Sequence, residues 1–113
     1  MTNAYGLTES DMAQIIEAFR QFEEISAVVL FGSWAKGNYK PGSDVDLAVK
    51  GDRIIHRTIA QLADHLNEVL PLPYDFDVVH YNTLASQPLV DHIDRVGVVI
   101  YDRASELTQI PVP

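Results

Sequence analysis

Apolar residues recur along the chain in two alternating periods, and the switches between them mark out its elements. Met12, Ile15, Ile16, Phe19 and Phe22 fall at helical spacing. Thr8 or Ser10 can cap that helix, and Glu9 and Asp11 suit its positive end. The pattern predicts a first helix ending near Ile25. The run AVVLF, Ala27 to Phe31, is short, rich in β-branched residues and closed by Gly32, which reads as a buried strand. Next comes SWAKGNYKPGS, whose glycines, proline and asparagine make a loop with room for one helical turn after Ser33. From Asp44 to Lys50 the pattern alternates, with Val45, Leu47 and Val49 on one face and Asp44, Asp46 and Ala48 on the other. That is a second strand.

Between Arg53 and Leu70 the residues Ile55, Thr58, Ile59, Leu62, Leu66 and Val69 return to helical spacing, and Pro71 and Pro73 forbid continuation. Tyr74 to Tyr81 alternates again, with Phe76 and Val78 on one face and Asp75, Asp77 and Val79 on the other, a third strand. Asn82 to Val96 predicts a third long helix, capped near Thr83 or Ser86, tolerating Pro88 in its first turn and ending at Gly97. Val98 to Asp102 supplies a last strand. The segment SELTQIPVP has two prolines and no periodicity, so it is expected to be frayed, or ordered only against a partner. This order describes an α+β fold: a small mixed sheet of about four strands, helices packed on one face, and Asp44, Asp46 and Asp77 on the other. One domain over residues 1–103 and a flexible tail over 104–113 are expected.

Composition narrows the function. The 113 residues suit one core, and 47% hydrophobic with 21% charged is ordinary globular composition. There is no cysteine, which excludes a disulfide framework and a thiolate zinc site. The first residues carry neither a basic start nor an apolar run, and no stretch reaches bilayer-spanning length, so a cytoplasmic protein is expected. A net charge of −8 disfavours stable binding to long nucleic acid or anionic membranes, while leaving room for a nucleotide whose phosphates are screened by a divalent cation.

Carboxylates on a strand otherwise made of valine and leucine are costly without a counter-charge. Asp44 and Asp46 lie two residues apart on one face, roughly 6–7 Å between Cα atoms, and can converge on a hard cation such as Mg²⁺. Asp77 on a neighbouring strand would allow two ions. A bare Asp-x-Asp is often just a solvated strand edge, but the residues upstream change the reading. Gly32-Ser33 follows a buried strand directly, where backbone N–H groups and a hydroxyl can face a phosphate. Gly-Ser, ten residues and Asp-x-Asp would occur by chance in a chain this short on the order of once in a thousand.

FGSWAKGNYKPGSDVDLAV resembles the signature of the DNA polymerase beta-like nucleotidyltransferases, in the form used by the minimal nucleotidyltransferases. Phe76-Asp77-Val78-Val79 is similar to the family's later hydrophobic-Asp-hydrophobic step, and the likeness runs from about Val28 to Asp102. The resemblance implies that Gly32 and Ser33 hold the donor's phosphates. It further implies that Asp44 and Asp46 bind two Mg²⁺ ions, with Mn²⁺ as a substitute. Asp77 would complete the second ion's site and deprotonate the acceptor hydroxyl. One position departs from the pattern: the family often has arginine after Gly-Ser, and here stands Trp34. Lys36 is the nearest replacement for that cation and Lys40 a weaker one. Trp34 either stacks on a base or packs under the loop, the second being the expectation. Asp77 is favoured over Asp75, which lies nearer the strand's start. His56, His65, His80 and His92 show no metal-binding interval and are expected to be surface or half-buried residues.

Relatives with small-molecule acceptors carry a further domain that helps bind the acceptor. The resemblance is closer to the minimal nucleotidyltransferase antitoxins, which imply ATP as donor and a tyrosine of a HEPN-type toxin as acceptor. Two other readings stay open: an antitoxin module of weak activity that neutralises its partner by contact, and a small-molecule nucleotidyltransferase completed by a second subunit.

Overall fold

The computed structural model describes residues 7–36 and 44–108, apart from the side chains of Lys36 and residues 106–108. Its elements run α1 (Glu9–Arg20), β1 (Ala27–Phe31), α2 (Ser33–Lys36), β2 (Val45–Lys50), α3 (His56–Asp64), β3 (Phe76–His80), α4 (Gln87–Val96), β4 (Val98–Asp102) and α5 (Arg103–Thr108). A π-helical turn, His65–Val69, follows α3, and a 3-10 turn, Tyr81–Thr83, follows β3. The four strands form one mixed sheet in the order β3-β2-β1-β4. β1 is antiparallel to β2 and β4, whereas β2 and β3 are parallel.

The expected α+β class is what the chain adopts, and one face of the sheet is built as the alternation predicts. Val28, Leu30, Val45, Leu47, Val49 and Phe76 are buried there against Ile15, Ala18 and Phe19 of α1, Leu62 of α3 and Leu66 of the π turn. Phe19 and Tyr101 meet at a 5.6 Å ring separation, tying α1 to β4. Thr58, buried in α3, gives its hydroxyl proton to Glu24 at 2.8 Å, so its polar atom is satisfied. The opposite face is not bare. Ile93 of α4 is buried against Val29, Phe31 and Ala48, with Leu89 and Val96 alongside, so α4 lies on the face that carries Asp46 and Asp77.

Several boundaries differ from the sequence reading, each for a local reason. Thr8 takes the cap of α1: its hydroxyl accepts from the Asp11 N–H while Asp11 accepts from the Thr8 N–H, a reciprocal box. That helix stops at Arg20 rather than near Ile25, because tight turns at Gln21, Phe22 and Ile25 bring Ile25 into the core. The helix expected over Arg53–Leu70 starts at His56 and widens into the π turn at His65. Asn82 is in the 3-10 turn, and the helix expected from there starts at Gln87, with the Ser86 hydroxyl accepting from the Leu89 N–H. Arg103–Thr108 is helical, so that Ser105–Thr108 of the segment expected to be frayed is regular, the Asp102 carboxylate accepting from the Ala104 and Ser105 N–H groups. The expected tail beyond Thr108 lies outside the described residues.

Candidate active site

A row of side chains crosses three strands at one end of the sheet. Asp46 pairs in register with Phe31 of β1 on one side and with Asp77 of β3 on the other. Residues directly opposite one another on adjacent strands project to the same face with Cα atoms roughly 5 Å apart. Asp46 and Asp77 therefore stand side by side although the α3 region separates them in the chain. Asp44 sits one residue before β2, exposed, rather than inside the strand as the alternation predicts. Asp75 precedes β3 and uses its backbone: its carbonyl accepts from the Val45 N–H at 2.8 Å, which fixes the β2–β3 register. Of the two aspartates weighed on this segment, Asp77 is the one in register with Asp46.

The electrostatics follow from this placement. The Asp46 carboxyl is pushed up from 3.8 to about 6, first by burial and then by the charges of Asp77 and Asp44. Half-buried, with like charges on two sides, it is an anion in want of a cation. A set of three carboxylates with no thiol and no imidazole in it suits a hard divalent ion such as Mg²⁺. Among the described residues no three His, Asp or Glu side chains close on a common point. The donor set of Asp44, Asp46 and Asp77 fits such an ion by its chemistry.

Gly32 links β1 to α2 with φ +76°, in the left-handed region where glycine is at ease. A Cβ at this position would also collide with Oδ2 of Asp46. The backbone angle calls for glycine, and any Cβ there would in addition force the Asp46 carboxylate to move. Ser33 begins α2 and is partly exposed beside the aspartates' end of the sheet. Lys36 ends α2, and its side chain, like all of Lys40, lies outside the described residues.

Trp34 packs into the core rather than presenting a face to a base. It is 5% exposed and meets the Tyr74 ring edge-on at 5.3 Å. Tyr74 in turn packs edge-on against Phe76 at 6.3 Å and donates its hydroxyl proton to Asp11 at 2.6 Å. The turn after β1 is thereby tied to α1 and to the start of β3. Sequence reading placed Tyr74 in a strand and gave Asn67 no role. Asn67, in the π turn, holds both backbone groups of Phe76: its Oδ1 accepts from the N–H at 2.7 Å and its Nδ2 donates to the carbonyl at 3.1 Å. This fork fixes the outer edge of β3 next to Asp77. An asparagine within a helical apolar pattern, just before two prolines, was the signal available for it. His80 is half-buried, in line with the expectation for the histidines, and its ring nitrogens are engaged by Gly51 and Thr83.

Comparison with known proteins identifies the family and the fold. The family model described as polymerase beta, nucleotidyltransferase matches residues 13–106, from within α1 into α5. No curated protein sequence matches the chain. Among solved structures it is similar to a toxin–antitoxin crystallised with AMP-PNP, at 24% identity and TM-score 0.70, covering 85% of this chain and 77% of that one. It is likewise similar to an MntA–HepT toxin–antitoxin structure, at 22% identity and TM-score 0.64, covering 88% and 76%. A third is the complex of a tri-AMPylated Shewanella oneidensis HEPN toxin with its MNT antitoxin, at 22% identity and TM-score 0.62, covering 86% and 74%. Likeness at these identities is likeness of fold. No helix among the described residues is long and apolar enough to cross a membrane. With the family model spanning every strand and the paired aspartates standing where the sheet brings them, the chain belongs to the polymerase beta nucleotidyltransferase family.

Proposed function

We propose that this protein is a cytoplasmic, Mg²⁺-dependent adenylyltransferase that moves AMP from ATP onto a tyrosine of a HEPN-type toxin and so acts as its antitoxin. The observation that carries the reading is the register of Asp46 with Asp77, beside the Gly32-Ser33 turn, on a member of a nucleotidyltransferase family. The partner class is supported by the toxin–antitoxin complexes that share the fold, one of which holds an AMPylated toxin.

In this reading Gly32 and Ser33 orient the donor's phosphates through backbone N–H and hydroxyl groups. Asp44 and Asp46 would hold two Mg²⁺ ions, and Asp77 would complete the second site. Bound there, the ions neutralise phosphate charge and favour the ionised acceptor hydroxyl. The tyrosine oxygen attacks the α-phosphorus, the bond to the bridging oxygen breaks, pyrophosphate leaves, and the phenolic proton passes to Asp77. Such chemistry depends chiefly on alignment and charge neutralisation, which carboxylates set side by side on adjacent strands would serve.

The test is incubation of the protein with Mg²⁺, a HEPN-type partner and each of ATP, CTP, GTP and UTP, read by intact-mass spectrometry of the partner. Addition of adenylate to a tyrosine is the expected result. A partner that is bound and inactivated without any added mass would replace this reading with neutralisation by contact.

A further inference from the structure

On α4, Leu89, His92, Ile93 and Val96 fall at the spacing that turns one helical stripe toward the sheet. Leu89, Ile93 and Val96 pack into the apolar cluster with Val29, Phe31 and Ala48, so a fourth apolar residue would be expected at 92. A histidine stands there instead. Its ring meets Phe31 edge-on, with ring centroids 6.3 Å apart and planes at 81°. Phe31 is the strand partner of Asp46 and immediately precedes the Gly32-Ser33 turn. The imidazole is therefore one side chain away from both the aspartate row and the turn.

Its polar atoms are uncommitted. His92 is half-buried, and among the described residues neither ring nitrogen has a hydrogen-bond partner. The acids that flank it on α4 are engaged elsewhere: Asp91 accepts from Gln87 at 2.8 Å and Asp94 from the Tyr81 hydroxyl at 2.7 Å. A half-buried imidazole with no hydrogen-bond partner among the described residues, held by an aromatic ring beside the Gly32-Ser33 turn, is placed to donate to a ligand oxygen. The position after Gly-Ser cannot do this, because Trp34 is packed in the core.

We infer that His92 is a donor-binding residue that gives an N–H hydrogen bond to a phosphate oxygen of the nucleoside triphosphate. The inference rests on the adenylyl-transfer reading for the identity of the donor, and on the α4 geometry for the residue.

The decisive variant is His92→Leu, which completes the apolar stripe and removes the N–H, compared with His92→Gln, which keeps an N–H donor. Binding of Mg·ATP and of Mg·tripolyphosphate is measured by calorimetry on the full chain, alongside thermal unfolding and transfer kinetics with a HEPN-type partner. His92→Leu is expected to weaken both ligands about tenfold, as loss of a hydrogen bond to a charged group does. The KM for ATP should rise in proportion while kcat changes little. His92→Gln should recover most of the affinity, and His92→Leu should unfold no earlier than wild type. Unchanged affinity in His92→Leu would overturn the assignment, and so would weaker ATP binding with tripolyphosphate unaffected, since the contact would then be to the nucleoside. Wild-type protein that binds Mg·ATP but never modifies its partner would overturn the transfer reading and leave His92 standing. Wild-type protein that binds neither ligand would overturn both.

Discussion

The carboxylate of Asp46 occupies the space that any side chain on Gly32 would need. With φ at +76°, the same glycine also holds an angle that costs other residues about 1–2 kcal/mol. Gly32→Ala is therefore expected to destabilise the fold and abolish transfer together. Adding Asp46→Ala should relieve the collision but leave the backbone cost, so chemical denaturation of the double variant should show partial recovery. Equal losses in the single and double variants would mean that the contact carries no energy.

The shifted carboxyl of Asp46 gives a pH prediction whose sign is fixed. Its folded value, about 6, lies above the unfolded 3.8, so the folded protein binds this proton more tightly. Its contribution to stability is present at low pH and is lost as pH rises from about 4 through 6. In EDTA, wild-type protein should thus gain stability relative to Asp46→Asn as pH falls through that window, and Asp46→Asn should be the more stable of the two at pH 7. At limiting Mg²⁺, activity should fall as pH drops, because the proton competes with the ion for Asp46, and added Mg²⁺ should move that fall to lower pH. Melting curves of the two proteins across pH 4–8 test the first part and initial rates the second.

Asp77, exposed beside Asp46, is assigned the acceptor's proton. Asp77→Asn should bind Mg·ATP through Asp44, Asp46 and Ser33 and should still bind its partner, while losing transfer by about 100-fold or more. Intact-mass kinetics of the partner settle it. Transfer at the wild-type rate would remove Asp77 from the mechanism.

Asn67 positions that carboxylate from outside the site. Losing its two bonds to Phe76 in Asn67→Ala should cost about 1–2 kcal/mol, measured by urea unfolding. Loosening β3 next to Asp77 should also slow transfer by about tenfold, since rate falls steeply with misplacement of a reacting group. Full activity in a destabilised Asn67→Ala would confine the residue to a stabilising role.

Restoring the arginine usual in the family should fail here. Trp34→Arg would put a charge where an indole lies buried against Tyr74, and is expected to lose at least about 3 kcal/mol of stability without a gain in ATP affinity. Thermal melts and ATP titrations decide it. Tighter ATP binding in a stable Trp34→Arg would show that the loop can repack.

By itself the sequence determined whatever depends on neighbours along the chain. Alternation gave β2, β3 and the apolar face of Val45, Leu47 and Val49, and the period of 3.6 gave α1 and α3, because side-chain direction is set residue by residue by the backbone; short apolar runs gave β1 and β4, and cap and stop residues gave α4. Gly-Ser and Asp-x-Asp were legible for the same reason, being a turn and a strand at a fixed spacing. Element ends were less so: the stop at Arg20, the π turn at His65 and the late start of α4 at Gln87 depend on where distant side chains must be delivered. Only the tertiary structure decided which residues from separate segments meet. Nothing local fixes the parallel register that sets Asp46 beside Asp77; the Asp75 carbonyl on Val45 and the Asn67 fork on Phe76 do. Nothing local places α4 over the aspartate face or brings His92 to Phe31. A histidine in an apolar stripe reads in the sequence as an imperfection of the pattern, and becomes a candidate ligand-binding group only once the sheet has brought the Gly32 turn and Asp46 next to it.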